Sequence, residues 1–536
     1  MAFQHLYADF ARAHREVEQA RPSETRRDAA TPQTATEDSA PLCTHRGSRV
    51  FVVALVLLGY TIGTATLAWV RMPQSDEGHF ANAGYELAYH GRLAMPMWTA
   101  WVPTLDHHMY VQMPLYYVQL APWIRAFGVD LRVLRLNSLL WGAIFVLAWY
   151  LIISAVCRDQ ITSLLGIALI GLNYDVINMT SARYDSMCAA LSAAGLACYV
   201  SLRDKHLTGG VLAANVCLAA ALMTHPFGFF GIVGVVVFFV VLDGRRVSLA
   251  SVAAAILPYA VAFGAWGLYI LQDPADFKRQ LAANAQGRLS NLSHPVQVLM
   301  AEIRERYLVQ YAGWRSDVPP LMRIKVLFLA AYVAGLIGCF LTPRLRAQRG
   351  VMALAIWAVL SFGLLTVVDS NRWYIYLLYV LPIFTAILAV WFGVLRMRGP
   401  LWRHAVIAAT AASILFSAGA VALRARLNDY GRLFTPTLSY LQEHVRDGDL
   451  IMAGGEFGPG LGFSEHVLED PTFGFRNGRE PDWIVNDKLH DERMKEWAGM
   501  QPALYRHVRE MLGHYQLVFD RRQPYNYYRV YRRSVH

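Results

Sequence analysis

The 536-residue sequence predicts a polytopic α-helical membrane protein with a small α/β domain at its C-terminal end. Two observations predict the membrane body. Hydrophobic residues make up 55% of the chain and charged residues only 16%, with mean hydropathy +0.30; a soluble protein carries about 25% charged residues. Those apolar residues recur in separate runs, several near the roughly 20 residues that cross a bilayer as a helix. The third observation is a change of character beyond about Arg426, where alternating and β-branched runs replace the long apolar ones. A cytosolic enzyme is excluded by composition. Six cysteines in so long a chain make no disulfide framework, and five of them lie in or beside apolar runs, where Cys is a small buried hydrophobe. The net charge, 49 − 39 = +10, is scattered between apolar runs, so no nucleic-acid partner is expected.

In chain order, residues 1–47 read as a mostly disordered cytoplasmic tail: polar, Pro/Thr-rich, with one possible amphipathic helix at Leu6–Ala20. It lacks the charge, apolar core and cleavage site of a removable signal peptide. Eleven apolar segments follow, at Val50–Val70, Val133–Val156, Ile161–Val176, Met187–Leu202, Gly209–Met223, Phe227–Leu242, Leu249–Leu271, Val326–Leu341, Val351–Val368, Trp373–Leu395 and Ala405–Leu423. With the tail inside, the inner loops hold Arg158, Arg203, Lys205, Arg245, Arg246, Arg344, Arg346, Arg349, Arg396, Arg398 and Arg403. The short outer loops hold little beyond Arg183, the asymmetry expected of cytoplasmic loops. The long outer loop from Gln272 to Lys325 is basic, but long loops cross regardless of charge. An odd number of spans puts the C-terminal region outside. The expected organisation is a tail (1–47), a transmembrane catalytic body (48–425) and an outer α/β domain (426–536). The domain should open with a helix at Thr435–Val445, continue into a short strand near Ile451, and end in paired strands from Tyr515 and Tyr527.

This topology gathers ionisable residues on the outer face: Asp76, Glu77, Asp175, Asp185, His225, Asp369 and Arg372. A charge at mid-membrane costs several kcal/mol (roughly 3 on insertion scales), so span ends are where charges collect in any case. Asp76 and Glu77 add a specific context. They open a stretch to Gly91 with Phe80, Gly84, Leu87 and Gly91 at helical spacing, expected to lie on the membrane surface. Acidic residues suit such a first turn. The next stretch, Met109-Tyr-Val-Gln112-Met-Pro114-Leu-Tyr116-Tyr117-Val-Gln-Leu followed by Trp123 to Gly128, is expected to be a second interfacial helix, with Pro114 at its first turn.

These residues together resemble a known family. The order is a first span, an acidic pair opening a helix, a Pro-Leu-Tyr-Tyr interfacial helix, Phe127-Gly-x-x-x-Arg132-x-x-Arg135, and Ala182-Arg183-Tyr184-Asp185 opening a later span. Arg372-Trp-Tyr374-Ile-Tyr-Leu-Leu-Tyr-Val-Leu-Pro382 follows. This is similar to the polyprenyl-phosphate-dependent glycosyltransferases of GT-C fold, in the branch of bacterial lipid A aminoarabinose and galacturonic acid transferases and protein O-mannosyltransferases. The resemblance covers roughly residues 50–423, through short motifs. It implies an outward-facing site in the plasma (inner) membrane that moves a sugar from a polyprenyl-phosphate donor to an envelope acceptor, lipid A or another glycolipid or polysaccharide. By that resemblance Asp76 is the catalytic base, Glu77 positions the acceptor and Asp185 supports the site. Arg372, Arg183, Tyr374 and His225 are the candidates facing the donor phosphate, with a basic residue of the long outer loop as an alternative cation, and Tyr116, Tyr117 and Gln112 those lining the acceptor or lipid groove. Relatives carry a Lys-Pro-Pro before the Tyr-rich helix, whose Lys meets phosphate. Here Gln112 stands in that stretch and supplies no charge, so the phosphate partner must lie elsewhere or the donor differs.

Other patterns point less sharply. Asp106-His107-His108 is a poor metal site, because adjacent histidines seldom face one ion, and no cofactor is firmly implied. Gly454–Gly462 lacks the helix that dinucleotide spacing requires and reads as a turn-rich loop. Asn291-Leu-Ser is only a formal glycosylation sequon. A transporter or flippase is the competing function, but it favours ionisable groups at mid-membrane and internal repeats, neither of which the sequence displays. A noncatalytic scaffold would tolerate neutralisation of Asp76 or Asp185.

Overall fold

The computed structural model describes residues 43–179, 182–285, 288–290, 292–315 and 319–534. The Leu6–Ala20 helix and the sequon at Asn291 lie outside the described residues. Residues 49–536 pack as one compact unit. Its helices are α1 (Cys43–Val70), α2 (Ser75–Tyr85), α3 (Leu115–Phe127), α4 (Leu131–Cys157), α5 (Gln160–Gly171), α6 (Tyr174–Met179), α7 (Tyr184–Leu202), α8 (Leu207–Thr224), α9 (Phe229–Asp243), α10 (Leu249–Ile270), α11 (Lys325–Leu341), α12 (Arg349–Val368), α13 (Leu381–Leu395) and α14 (Pro400–Leu427). Among the described residues ten helices are long and apolar enough to cross a membrane, and α5 is a shorter apolar helix.

The third predicted segment, Ile161–Val176, departs from a single helix for a local reason. Its α5 portion has 12 residues, about 18 Å at the helical rise, and ends before Asn173. The Asn173 side chain accepts from the Asp175 amide at 2.8 Å, restarting the chain as α6. Together α5 and α6 run from one end of the bundle to the other. Arg396 pairs with Asp159 just before α5 at 2.7 Å, whereas Asn178 in α6 offers its carbonyl to Arg71 beyond α1. A second departure is Trp373–Leu395, whose first part winds as a 3-10 turn (Tyr374–Tyr379) before α13. Pro382 explains the break: lacking an N–H, it fits the first turn of a helix and not its interior.

Ion pairs mark the two ends. At one end Arg203 holds Asp243 at 2.6 Å and Arg396 holds Asp159. At the other, Lys325 pairs with Asp175 at 2.5 Å and Arg135 with Glu77 at 2.6 Å.

The C-terminal domain sits at the Glu77 end. It holds a five-stranded mixed sheet in the order β2-β1-β3-β5-β4, with β1 at Ile451–Met452, β2 at Val467–Leu468, β3 at Trp483–Asp487, β4 at Tyr515–Arg522 and β5 at Tyr527–Arg533. β1 pairs in parallel with β2 and β3, while β5 pairs antiparallel with β3 and β4. A helix at Thr435–His444 leads in, and two helices, α15 (Lys488–Met500) and α16 (Pro502–Gly513), join β3 to β4. The expected strands near Ile451, Tyr515 and Tyr527 are present. The short β2 and the fully enclosed Trp483 strand carry no alternating pattern and were not expected.

This domain changes the setting of α2. The expected surface helix is instead enclosed from Glu77 to Gly84. Two glycines make that possible. A Cβ at Gly78 would collide with the Gly455 carbonyl, and one at Gly84 would lie 2.9 Å from the Leu120 side chain. The glycine-rich segment that begins at Gly454 is thus the surface on which α2 packs, through a 3-10 turn at Gly455–Phe457.

Candidate active site

α2 begins after Gln74, whose amide donates to the Glu77 carboxylate at 3.0 Å. Its first turn presents two acids in unlike environments. Glu77 is wholly enclosed (0% exposed). Arg135 donates to both its oxygens at 2.9 and 2.6 Å, Arg71 adds a third contact at 3.0 Å, and the Ala182 amide donates at 3.1 Å. Burial raises the carboxyl pKa, but Arg135 and then Arg71 outweigh it and hold it down at about 2. Neither Glu77 oxygen is left to face a substrate.

Asp76 is the open member of the pair, its side chain 32% exposed. Its Oδ2 contacts the Arg183 guanidinium. Arg183 is itself buried and also donates to Asp185 Oδ2 at 2.8 Å, so one cation joins the two acids across the gap between α2 and α7. The rings of Phe80 and Tyr184 lie 5.4 and 5.6 Å from its guanidinium carbon and fix its plane. Asp185 is fully enclosed in the first turn of α7 and also receives the Tyr379 hydroxyl at 3.4 Å. Asp76 thus forms one cluster with Arg183 and Asp185, a pair distant from it in sequence.

His225 stacks on Tyr184 at 4.5 Å behind that cluster, and its Nδ1 accepts the Phe227 amide at 3.2 Å. Burial lowers its pKa to about 4; Asp185 opposes this, while Arg183 and Arg288 reinforce it. The imidazole is therefore neutral at physiological pH. Arg372 stands apart, its backbone at φ 53° and its guanidinium on Glu305 at 2.8 Å, with Glu302 at 4.0 Å. Tyr374 accepts from the Asn178 side chain at 3.4 Å. Tyr116 and Tyr117 are buried in the core between α2 and α7, within 6.4 Å of Phe80 or Tyr184. Gln112 is half-buried in the turn before α3.

The residue that sequence reasoning missed is Arg288. Asn284 accepts its Nε–H at the main-chain carbonyl, 2.6 Å away, and Asn284 also donates to the Val111 carbonyl at 2.8 Å. Arg288 is thus linked through Asn284 to Val111, the chain neighbour of Gln112. Its charge is felt at His225 and Tyr376, and among the described residues no carboxylate pairs with it. Its only signal in the sequence was membership of a basic outer loop. Arg306 of the same loop is fully buried and committed to Glu302 at 2.5 Å and Asp369 at 2.9 Å.

Asp106 and His107 approach to 3.7 Å, and His108 stacks on Tyr110. Among the described residues no three His, Cys, Asp or Glu side chains gather as a metal site.

Beneath α2, Glu456 is buried and accepts the Tyr528 hydroxyl at 2.8 Å, while its second oxygen has no partner among the described residues. Burial, with repulsion from Asp487, raises its pKa from 4.5 to about 8 against the Tyr528 bond. Because the folded value lies above the unfolded one, the stability it contributes is complete below about pH 4.5 and is lost as pH rises through about 8. Glu456→Gln, uncharged at every pH, should leave the melting temperature at pH 5 unchanged and raise it by several degrees at pH 9. Melting curves of the detergent-solubilised protein at both pH values check this.

No protein-family model and no curated protein matches the sequence. Solved structures do match the fold. ArnT from Cupriavidus metallidurans, in a crystal structure bound to undecaprenyl phosphate, superposes with a TM-score of 0.54 at 15% identity, over 90% of this chain and 98% of that one. The oligosaccharyltransferase of Archaeoglobus fulgidus, in complex with zinc and sulfate, gives 0.54 at 13% identity, over 88% of this chain and 71% of that one. At these identities the likeness is one of fold, and the fold is GT-C.

Proposed function

We propose that this chain is a membrane glycosyltransferase that moves a sugar from a polyprenyl phosphate to a hydroxyl of an envelope acceptor, with inversion. The observation that carries the reading is the inequality of the two acids of α2: Glu77 is spent on buried arginines, and Asp76 is left open beside the cation that binds Asp185. An acceptor hydroxyl is a weak nucleophile and needs a base within hydrogen-bond reach; Asp76 is the exposed carboxylate of the cluster. As the hydroxyl oxygen bonds to the anomeric carbon from the side opposite the phosphate, the bond to phosphate breaks and the leaving group takes the electron pair. That group is already anionic, so it requires cations more than a proton. Arg288 is the cation we assign to it, replacing the charge that Gln112 lacks. Arg183 and the neutral His225 define the wall between base and donor, and Asp185 anchors Arg183.

The undecaprenyl phosphate held by the C. metallidurans ArnT supports a polyprenyl donor for a chain of the same fold. Lipid A or another glycolipid is our preferred acceptor. The end of the bundle remote from Asp76 carries the arginine-rich short loops, which supports a cytoplasmic tail and an outward-facing site in the inner membrane. The crowding of ionisable groups at one end also favours chemistry there over transport through the bundle.

The test incubates purified protein with native envelope lipid extract and follows free polyprenyl phosphate and glycosylated products by mass spectrometry. Release of polyprenyl phosphate with a matching sugar-sized gain on another molecule establishes the transferase. Neither event, with donor present, would leave the transport reading ahead. Arg288→Gln should raise the KM for donor by about 10- to 100-fold, since a hydrogen bond to a charged group is worth roughly 1.5–3 kcal/mol. Initial rates across a donor titration measure it, and an unchanged KM removes Arg288 from the phosphate site.

A further inference from the structure

We propose that His79 of α2 and Glu469 of the C-terminal domain form a relay that takes the proton away from Asp76 after each transfer. The inference rests on the reading of Asp76 as the base and goes beyond it, giving the C-terminal domain a part in turnover.

His79 lies one helical turn after Asp76, on the same face. Its Nε2 is 3.7 Å from Asp76 Oδ1, and its Nδ1 is 3.1 Å from Glu469 Oε2. A carboxylate at Nδ1 selects the tautomer with the proton on that nitrogen, leaving Nε2 as a bare acceptor turned to Asp76. The ring is buried, stacked on Trp98 at 4.9 Å and edge-on to Phe80 at 4.4 Å, so it cannot swing away. Glu469 is equally fixed: its other oxygen accepts the Ser75 hydroxyl, and its amide donates to the Met97 carbonyl at 2.9 Å. The charged groups around His79 are Asp76 and Glu469, with Arg183 behind the first. Arg493 and Glu456 act on it through Glu469.

The division of labour on Asp76 follows from its two oxygens. Arg183 occupies Oδ2, so a proton taken from the acceptor hydroxyl resides on Oδ1, the oxygen facing His79. The acceptor O–H bond breaks as the new bond to the anomeric carbon forms, and the electron pair of the broken phosphate bond leaves with polyprenyl phosphate. The Oδ1 proton then passes to Nε2. The resulting imidazolium is balanced by Glu469, and loss of one proton to water restores the starting state. His79 and Glu469 are positioning residues, since both act through Asp76 and neither touches the sugar.

The experiment measures kcat across pH for the full chain with native envelope lipid extract, comparing wild type, His79→Gln, Glu469→Gln and Asp76→Asn, with melting temperatures alongside. We expect His79→Gln to lose about 10- to 100-fold in kcat, less than the roughly 100- to 10,000-fold that a general base supplies because it acts through Asp76, and to keep its donor KM. Glu469→Gln gives a smaller loss of kcat, again at unchanged donor KM, and Glu469→Asp recovers part of it. An inactive Asp76→Asn beside His79→Gln and Glu469→Gln variants of wild-type kcat overturns the relay while the base reading stands. A fully active Asp76→Asn overturns the base reading itself, and the relay with it. Should His79→Gln fail to fold, Glu469→Gln decides alone, an unchanged kcat counting against the proposal.

Discussion

Asp76→Asn is expected to lower kcat by about 100- to 10,000-fold, the range that general-base catalysis supplies, with little change in folding. The asymmetry has a structural cause. Asn has the size of Asp and keeps a hydrogen-bond acceptor for Arg183, but it cannot take the proton of the acceptor hydroxyl. Its site is 32% exposed, and a partly solvated ion pair is worth about 1 kcal/mol or less. Arg183 also keeps its 2.8 Å contact with Asp185. The measurement is single-turnover release of polyprenyl phosphate, with melting temperatures and donor KM in parallel. A variant that folds, binds donor and does not turn over is the expected result; one that turns over at the wild-type rate would show that the base lies elsewhere.

The adjacent substitution should fail for the opposite reason. Glu77→Ala is expected to destabilise the protein by about 3–5 kcal/mol, the cost of breaking a buried pair from one side. It leaves Arg71 and Arg135, both buried, facing each other without their shared counter-ion, and strips the Ala182 amide of its acceptor. Expression in the membrane and thermal melting in detergent report the loss. Replacing Arg135 by Met in the same variant should recover part of it, because one unpaired charge is then removed. The pH dependence has a definite sign. The folded pKa of Glu77, about 2, lies below its ordinary 4.5, so its contribution is present above pH 4.5 and lost as pH falls toward 2. Two neighbouring acids are thus expected to separate into a residue whose loss stops chemistry and one whose loss stops folding.

That separation was invisible in the sequence, where both acids share a first helical turn and both resemble site residues. The partners of Glu77 lie in other segments: Arg71 after α1, Arg135 in the first turns of α4, Ala182 before α7. Arg135 did carry a signal, since a charge inside an apolar run must find a partner, but spacing cannot name that partner. Arg372 shows the converse. It sat in the most extended motif match, yet the tertiary structure sets it against Glu305 and Glu302, whereas the charge of Arg288, in a loop without a motif, reaches His225 alongside that of Arg183. The surface helix expected from residue 78 had the right residues and the wrong surroundings. Its glycines, Gly78 and Gly84, fit a surface helix or a tightly packed one equally well, and the partner of Gly78, Gly455, lies nearly four hundred residues away.

What the sequence determined by itself is the part governed by local physics. Apolar run length set the spans and loop charge the expected orientation; strand alternation set β4 and β5. Each depends on residues within a few positions of one another, so each can be read from the chain alone. Only the tertiary structure decided which acid is open, that Arg288 meets no carboxylate among the described residues, and that His79 connects Asp76 to a glutamate of the C-terminal domain. Those outcomes are set by burial and by charges that meet across distant segments, because the strength of an ion pair depends on the partner's distance and the water around it, and neither quantity is encoded in spacing.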